Sequence, residues 1–124
     1  MNELKRAVTV TVNPALDASM SVDHVTVDRK LRCSVPAYDP GGGGINVARV
    51  LRTLGSDALS VFPAGGPMGE VLVDLLTAEE LPNAAIPIDG WTRENFTIRE
   101  LASNQQYQFV TPGPTLGIRD LDRL

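Results

Sequence analysis

The chain has 124 residues, of which 43% are apolar and 21% charged, and its net charge is −4. This balance predicts one globular domain and excludes a disordered chain, and the lack of a basic run argues against a nucleic-acid surface. No stretch approaches the roughly 20 apolar residues that cross a bilayer, and the N-terminus has no signal-peptide pattern. The single cysteine, Cys33, has no partner for an internal disulfide, so we expect a reducing cytoplasm.

Strand and helix patterns alternate along much of the chain. The β-branched run at residues 8–12 predicts a strand that stops at Asn13-Pro14. Glycines 41–44 open a predicted helix that runs to about Leu54, and residues 58–62 predict the next strand. The apolar face predicted for this helix consists of Val47, Ala48, Val50, Leu51 and Leu54. Strand, helix and strand together indicate a right-handed parallel unit of an α/β fold. A second helix at 68–80, a strand at 84–88 and a helix from 118 continue the pattern.

Four extended segments interrupt this alternation. They lie at residues 20–27, 32–37, 96–101 and 106–110, the last two forming a predicted hairpin around 102–105. Alternation changes phase near Asp23, which predicts a bulge or a bend there. We expect the four segments to form a small antiparallel lid outside the central sheet. Its candidate apolar face consists of Met20, Val22, Phe96, Ile98, Tyr107 and Phe109.

The four consecutive glycines at 41–44 are the first candidate for a ligand site. Glycines at a helix start allow a close approach of the backbone and direct unpaired amides toward an anion or a hydroxyl. No Gly-Lys-Ser/Thr follows, which excludes a nucleotide P-loop, and Asn46 replaces the third glycine of a dinucleotide fingerprint. Taken alone, the run is equally consistent with a flexible turn before a helix.

The spacing Gly44-Ile45-Asn46-Val47-Ala48, Gly55 and Gly65 resembles a signature of the ribokinase or PfkB-type sugar kinases. Further similar segments are Thr9-Val10-Thr11-Val12-Asn13-Pro14-Ala15-Leu16-Asp17, Lys30-Leu31-Arg32-Cys33, Phe62-Pro63-Ala64-Gly65-Gly66, Trp91-Thr92-Arg93-Glu94-Asn95 and Pro112-Gly113-Pro114. The resemblance covers residues 8–116 and favours the phosphosugar branch, above all the PfkB-type phosphofructokinases. It implies the N-terminal half of a ribokinase-like fold. In this reading residues 1–124 are part of one domain, with lid segments at about 20–37 and 92–110.

The resemblance also implies roles for single residues. Asp17 is expected to accept hydrogen bonds from sugar hydroxyls, with a turn or cap role as the alternative. Asn46 and Gly41, Gly42 and Gly43 are expected to contact the sugar. Arg93 resembles the residue that grips a substrate phosphate, with Asn95 as a buttress; an exposed strand arginine is the alternative. Lys30 resembles a lysine that reaches a neighbouring subunit's active site, which implies a homodimer through the lid.

The implied activity is ATP-dependent phosphorylation of a phosphorylated hexose, with fructose 6-phosphate as the favoured acceptor. The 1-phosphofructokinases and tagatose-6-phosphate kinases remain alternatives, as does a non-catalytic phosphosugar-binding or dimerisation module. The family's catalytic Gly-x-Gly-Asp motif is absent from the sequence. We therefore expect no catalytic residue in these 124 residues, ATP and Mg²⁺ bound mainly by other parts of the complete enzyme, and no turnover by this chain alone.

Overall fold

The computed structural model describes residues 6–124, so the first five residues of the N-terminal segment considered for a signal lie outside it. In chain order the elements are β1 (Ala7–Val10), β2 (Ala15–Val22), β3 (Ala37–Gly41), α1 (Gly43–Thr53), β4 (Ala58–Ala64), α2 (Gly66–Ala78), β5 (Asn83–Pro87), β6 (Arg93–Glu100), β7 (Gln106–Phe109) and α3 (Ile118–Arg123). They build a parallel sheet with strand order β1-β4-β5 and a separate sheet with strand order β3-β2-β6-β7. Within residues 6–124, none of the helices is long and apolar enough to cross a membrane.

The core lies between the parallel sheet and helices α1 and α2. Its centre is Phe62 of β4, packed with Ile45 and Ala48 of α1 and with Leu72 and Leu76 of α2, all fully buried. Both helices cover the same face because the two right-handed crossovers advance in the same direction, from β1 to β4 to β5. The predicted strand–helix–strand unit is therefore confirmed.

The predicted apolar face of α1 is wrong in part. Ile45 and Ala48 are buried and Leu51 packs against the core, whereas Val50 is 58% and Leu54 is 74% exposed. The sheet contacts only one narrow stripe of the helix. The helical periodicity of apolar residues therefore predicts a wider apolar flank than the rest of residues 6–124 covers.

The second sheet contains part of each of the four segments predicted to leave the core, but it is mixed rather than antiparallel. Its central strands β2 and β6 are parallel, and each has an antiparallel neighbour, β3 and β7. The reason lies in the connections, because β2 follows β1 and β6 follows β5. Both strands leave the carboxyl edge of the parallel sheet and run in the same direction, and only their return strands run back. We call this four-stranded sheet the lid.

The lid strands begin closer to the core than predicted. β2 starts at Ala15 and ends at Val22, and the predicted bend is present at Asp23. The predicted strand at 32–37 is wrong except at its last residue. Only Ser34 bonds with β2 there, through its N–H to the Ser21 carbonyl and its hydroxyl oxygen to the Ser21 N–H.

The lid has one apolar and one polar face, set by strand register. Phe96 lies opposite Phe109, and Ile98 lies between Met20 and Tyr107, so the predicted apolar face is confirmed. Phe109 at its margin is 54% exposed. Side chains of the alternate residues form the polar face. From β2 and β6 these are Asp17, Ser19, Ser21, Arg93, Asn95, Thr97 and Arg99.

Candidate functional site

Asp17 is at the centre of the polar residues near the base of the lid. It lies half-buried in β2, and the strand register places Asp39 of β3 on one side of it and Asn95 of β6 on the other. The Asn95 side-chain amide donates to Asp17 Oδ1 at 3.3 Å. Among the described residues Oδ2 has no hydrogen-bond donor. A carboxylate held by one oxygen and open at the other can accept a hydroxyl hydrogen bond from a ligand.

The glycines preceding α1 are required by close contacts. A Cβ at Gly41, the last residue of β3, would lie 2.8 Å from Asp17 Cγ. Gly42, the residue before the helix, has φ 131° and a Cβ there would lie 2.6 Å from Thr11 Cγ2. Gly43 is exposed, and a Cβ there would have no neighbour within 4 Å. The first two glycines therefore bring the start of α1 against Asp17 and Thr11, while the third leaves an open approach to the helix amides.

Arg93 lies on the same face of the lid, one row closer to the core than Asp17. The register pairs it with Ala15, which in turn pairs with Gly41. Its Nη1 donates to the Thr111 carbonyl at 3.2 Å and its Nη2 to the Asn13 carbonyl at 3.1 Å. Within residues 6–124 the Nε atom is buried without a partner. A guanidinium has five N–H donors, so two bonds to backbone carbonyls leave donors for an anion.

Asn95 makes no direct hydrogen bond to Arg93 and supports it only through Thr111, whose carbonyl accepts from Arg93. Its amide nitrogen bonds to Asp17, and its amide oxygen accepts the Thr111 N–H at 3.0 Å. The Thr111 hydroxyl in turn donates to the Glu94 carbonyl at 2.9 Å. Asn95 thus fixes the Asp17 carboxylate and anchors the segment that follows β7.

The remaining predicted site residues lie around this cluster. Asn46 is exposed on the first turn of α1, four residues after Gly42, whose carbonyl accepts its backbone N–H at 2.9 Å. Lys30 is exposed in the loop that follows β2, beyond the far end of that strand. The structure therefore brings Asp17, Gly41 and Arg93 into two neighbouring rows of one face, and it does not bring Lys30 to them.

Sequence reasoning missed the roles of Thr111, Asn13 and Thr92. The first two provide the carbonyls that orient Arg93. Thr92 is buried, and its hydroxyl oxygen accepts the Gly65 N–H at 3.1 Å while its own N–H donates to the Gly65 carbonyl at 2.9 Å. The only sequence signal was their position next to recognised motifs, because these contacts join residues 18 to 80 positions apart.

Glu100 lies at the outer end of the lid, away from this cluster. The Ser103 hydroxyl donates to the Glu100 carboxylate, as does the Val25 N–H at 2.6 Å, and these bonds lower the pKa of Glu100 below its ordinary value of 4.5. The carboxylate thereby ties the loop after β2 to the turn between β6 and β7. No group of three or more His, Cys, Asp or Glu side chains that could hold a metal ion occurs in residues 6–124.

Comparison with known proteins agrees with the fold. The pfkB family of carbohydrate kinases matches residues 11–117, and the chain belongs to this family. The predicted ribokinase-like α/β fold is thereby confirmed.

Two curated relatives are both described as ATP-dependent 6-phosphofructokinase isozyme 2. The chain is 48% identical over 118 residues to the protein of Mycobacterium tuberculosis H37Rv, which covers 95% of this chain and 35% of the relative. It is 46% identical over 111 residues to that of Escherichia coli K12, covering 90% and 36%. The crystal structure of E. coli phosphofructokinase-2 in complex with fructose-6-phosphate superimposes with a TM-score of 0.91 at 43% identity, over 95% of this chain and 39% of that one. The chain thus spans about a third of the length of its curated relatives.

Proposed function

We propose that this chain is the acceptor-binding portion of an ATP-dependent phosphofructokinase whose acceptor is fructose 6-phosphate. The observation that carries the proposal is the arrangement at the lid base, where Asp17, Gly41 and Arg93 occupy two adjacent rows of one face beside the start of α1. A phosphorylated sugar requires a carboxylate that accepts hydrogen bonds from its hydroxyls, backbone amides within close reach, and a guanidinium that binds its phosphate. The relatives and the fructose-6-phosphate complex of the E. coli protein support this acceptor over tagatose 6-phosphate.

Each residue has a defined part in the proposal. The free oxygen of Asp17 accepts a sugar hydroxyl, while Asn95 holds the other oxygen. The amides following Gly42 and the side chain of Asn46 contact the sugar from the helix side. Arg93, oriented by two backbone carbonyls, directs its remaining N–H groups to the phosphate.

The proposal does not assign the groups that carry out phosphoryl transfer to residues 1–124. PfkB-type kinases use ATP as the phosphate donor, and the proposal assigns ATP, Mg²⁺ and the catalytic base to the rest of a complete enzyme. Magnesium is usually held by one or two carboxylates together with the substrate phosphates, so the proposal leaves its ligands to the same part of the enzyme as ATP. Cys33 is a free, exposed thiol, which supports a reducing cytoplasm as the location.

The lid is proposed to pair with the lid of a second copy. Its apolar face contains Tyr107 and Phe109, both exposed beside the half-buried Phe96 and Ile98. Solvent contact of such a patch is unfavourable, so a two-fold dimer would stabilise it. In that dimer the exposed Lys30 would extend toward the site of the partner subunit. The position of Lys30 away from the site of its own chain favours this arrangement.

A fusion enzyme tests the proposal. Residues 1–124 are joined to the part of E. coli phosphofructokinase-2 that follows the matched region, and kinetics are measured with fructose 6-phosphate, tagatose 6-phosphate and fructose. Arg93→Ala should raise KM for the phosphorylated sugars by roughly 10- to 150-fold, because a hydrogen bond to a charged group contributes about 1.5–3 kcal/mol. The KM for fructose should change little. The matched control is Arg99→Ala, on the same strand and face but farther from the core. Equal weakening toward fructose and its phosphate would refute the phosphate role of Arg93, and turnover by the unfused chain would refute its inactivity.

A further inference from the structure

Lys30 lies in the loop that joins β2 to β3, and this loop is anchored to the lid on both sides of the lysine. The Lys30 side chain is exposed, and within residues 6–124 its ammonium group has no carboxylate within 4 Å. A lysine on an untethered loop occupies many positions, and binding a ligand then costs the entropy of ordering it. The contacts that restrain the loop therefore affect how well Lys30 can bind a group outside its own chain.

The first anchor is the carboxylate of Glu100, the last residue of β6. Its Oε2 accepts the Val25 N–H at 2.6 Å, although the two residues are 75 positions apart in the sequence. Its Oε1 accepts the Ser103 hydroxyl, which belongs to the turn between β6 and β7. The bond from Ser103 closes the turn without any help from Val25. The second bond therefore has a separate effect, which is to hold the loop after β2 against the turn.

The turn that carries Glu100 is itself fixed by backbone hydrogen bonds. The Glu100 N–H donates to the Gln105 carbonyl at 2.9 Å, and the Glu100 carbonyl accepts the Asn104 N–H at 2.8 Å. The Leu101 N–H donates to the Val22 carbonyl at 2.9 Å, which extends the pairing of β2 with β6 by one residue. The carboxylate is thus attached to backbone that is bonded to both of its neighbouring strands.

The second anchor is Ser34, which forms two hydrogen bonds with Ser21 of β2. Its N–H donates to the Ser21 carbonyl at 2.9 Å, and its hydroxyl oxygen accepts the Ser21 N–H at 2.9 Å. Residues 26–33 lie between the two anchors, with Lys30 near their middle. Asp28, two residues before Lys30, reverses the chain with a φ of 56°, a left-handed conformation that aspartate tolerates. Lys30 therefore lies on a short segment with two fixed ends.

We infer that Glu100 is a positioning residue for Lys30, because its carboxylate holds the loop in which the Lys30 ammonium group is presented to the anionic phosphosugar in the partner subunit's site. The inference rests on the proposed function, which assigns Lys30 to that site. The choice of donor supports it, because Glu100 binds the loop through a backbone amide. The ammonium group of Lys30 is left without a carboxylate partner and keeps its charge available for a phosphate.

Two measurements on Glu100→Ala test the inference. In the 124-residue chain, the ¹⁵N order parameters of residues 26–33 should fall while the circular dichroism stays native. In the fusion enzyme, KM for fructose 6-phosphate should rise roughly 2- to 10-fold, the range for losing the preordering of one long side chain, with kcat little changed. Glu100→Gln keeps an oxygen that accepts the Val25 N–H, so it should recover part of this rise. The matched control is Glu70→Ala, which removes an exposed carboxylate from α2 and should leave KM unchanged.

A double-mutant cycle separates positioning from a general loss of structure. In a Lys30→Ala background, Glu100→Ala should not change KM further, because no ammonium group remains to be positioned. Ser103→Ala keeps the carboxylate but frees one of its oxygens, and it should give a smaller rise of the same kind even if Glu100→Ala folds poorly.

Three outcomes would overturn the inference. Order parameters that stay at the wild-type values would do so, as would equal rises in KM with and without Lys30. A raised KM in Lys30→Ala beside a wild-type KM in Glu100→Ala and Ser103→Ala would overturn the inference alone and leave the proposed role of Lys30 intact. Wild-type kinetics in Lys30→Ala would instead refute that proposed role, and the inference with it.

Discussion

Gly41 and Gly43 are two residues apart, yet we expect a substitution by alanine to have opposite effects on stability at the two positions. Gly41→Ala places a methyl group 2.8 Å from Asp17 Cγ, whereas Gly43→Ala places one in open space. Neither residue has a positive φ, so backbone strain does not distinguish them. Any difference between the two variants therefore reports the contact with Asp17.

The expected change in the free energy of unfolding follows from the hydrogen bond that Asp17 loses. To admit the methyl group its carboxylate must rotate, which breaks the 3.3 Å bond from Asn95. A hydrogen bond to a charged group contributes about 1.5–3 kcal/mol, and the half-buried position of Asp17 puts the loss near the lower limit. Gly→Ala offsets about 0.4–1 kcal/mol of this by restricting the unfolded chain. The expected net loss for Gly41→Ala is about 1 kcal/mol, while Gly43→Ala should gain about 0.4–1 kcal/mol.

Urea denaturation of the 124-residue chain followed by circular dichroism measures both changes. With a slope of about 1–3 kcal/mol/M, the midpoint should fall by roughly 0.5 M for Gly41→Ala and rise slightly for Gly43→Ala. In the fusion enzyme, Gly41→Ala should also raise KM for fructose 6-phosphate, because it displaces Asp17, the side chain that is proposed to bind the sugar. Midpoint shifts of the same sign and size in the two variants would refute the contact.

Two further predictions concern the lid tip and the start of α2. Glu100 has a lowered pKa in the folded chain, so its stabilising bond to the Val25 N–H is fully present above pH 4.5 and is lost as the pH falls through the folded pKa. Exchange of the Val25 amide should therefore accelerate in acid beyond the intrinsic rate, and Glu100→Gln should abolish that dependence; an unchanged pH profile in the variant would contradict it. At α2, Gly66→Ala forces a methyl group to 2.5 Å from Trp91 Cγ at φ 66°, whereas Gly55→Ala carries a similar positive φ of 85° with nothing within 4 Å. We expect Gly66→Ala to cost about 1–3 kcal/mol more and to shift tryptophan fluorescence; equal costs and an unchanged spectrum would show that Trp91 moves freely.

The strands and helices of the core could be predicted because local residue patterns indicate where each element begins and ends. A β-branched run before Asn13-Pro14 and a glycine run before a helix have few other readings, and the observed bounds differ by only a few residues. The direction of the β2–β6 pair could not be predicted. It depends on both strands leaving one edge of the core sheet, which is a property of the assembled fold and of no local pattern.

In the candidate site, too, some features could be predicted from the sequence and others could not. The glycine spacing drew attention to Gly41, and the family resemblance drew attention to Asp17 and Arg93. The sequence does not show which partner each side chain has, and Asn95 bonds directly to Asp17 and Thr111 rather than to Arg93. Its true partners lie 78 residues before it and 16 after it, and only the strand register brings them together. Residue types and spacing indicate chemistry, whereas hydrogen-bond partners require the fold.

The structural contacts of Arg93 do not exclude the binding role proposed for it. It joins β6 to the segments after β1 and after β7, at the junction between the lid and the core. Two of its five donors serve that junction, and the proposed function assigns the exposed remainder of the guanidinium to a phosphate. Arg93→Ala removes both functions, so Arg93→Lys is the informative companion in the fusion enzyme. A lysine keeps the charge but not the planar fork. If the phosphate contact dominates, Arg93→Lys should recover part of the KM lost in Arg93→Ala. If the junction dominates, the two variants should lose stability and activity equally, since an ammonium group cannot bridge both carbonyls in the geometry of the fork.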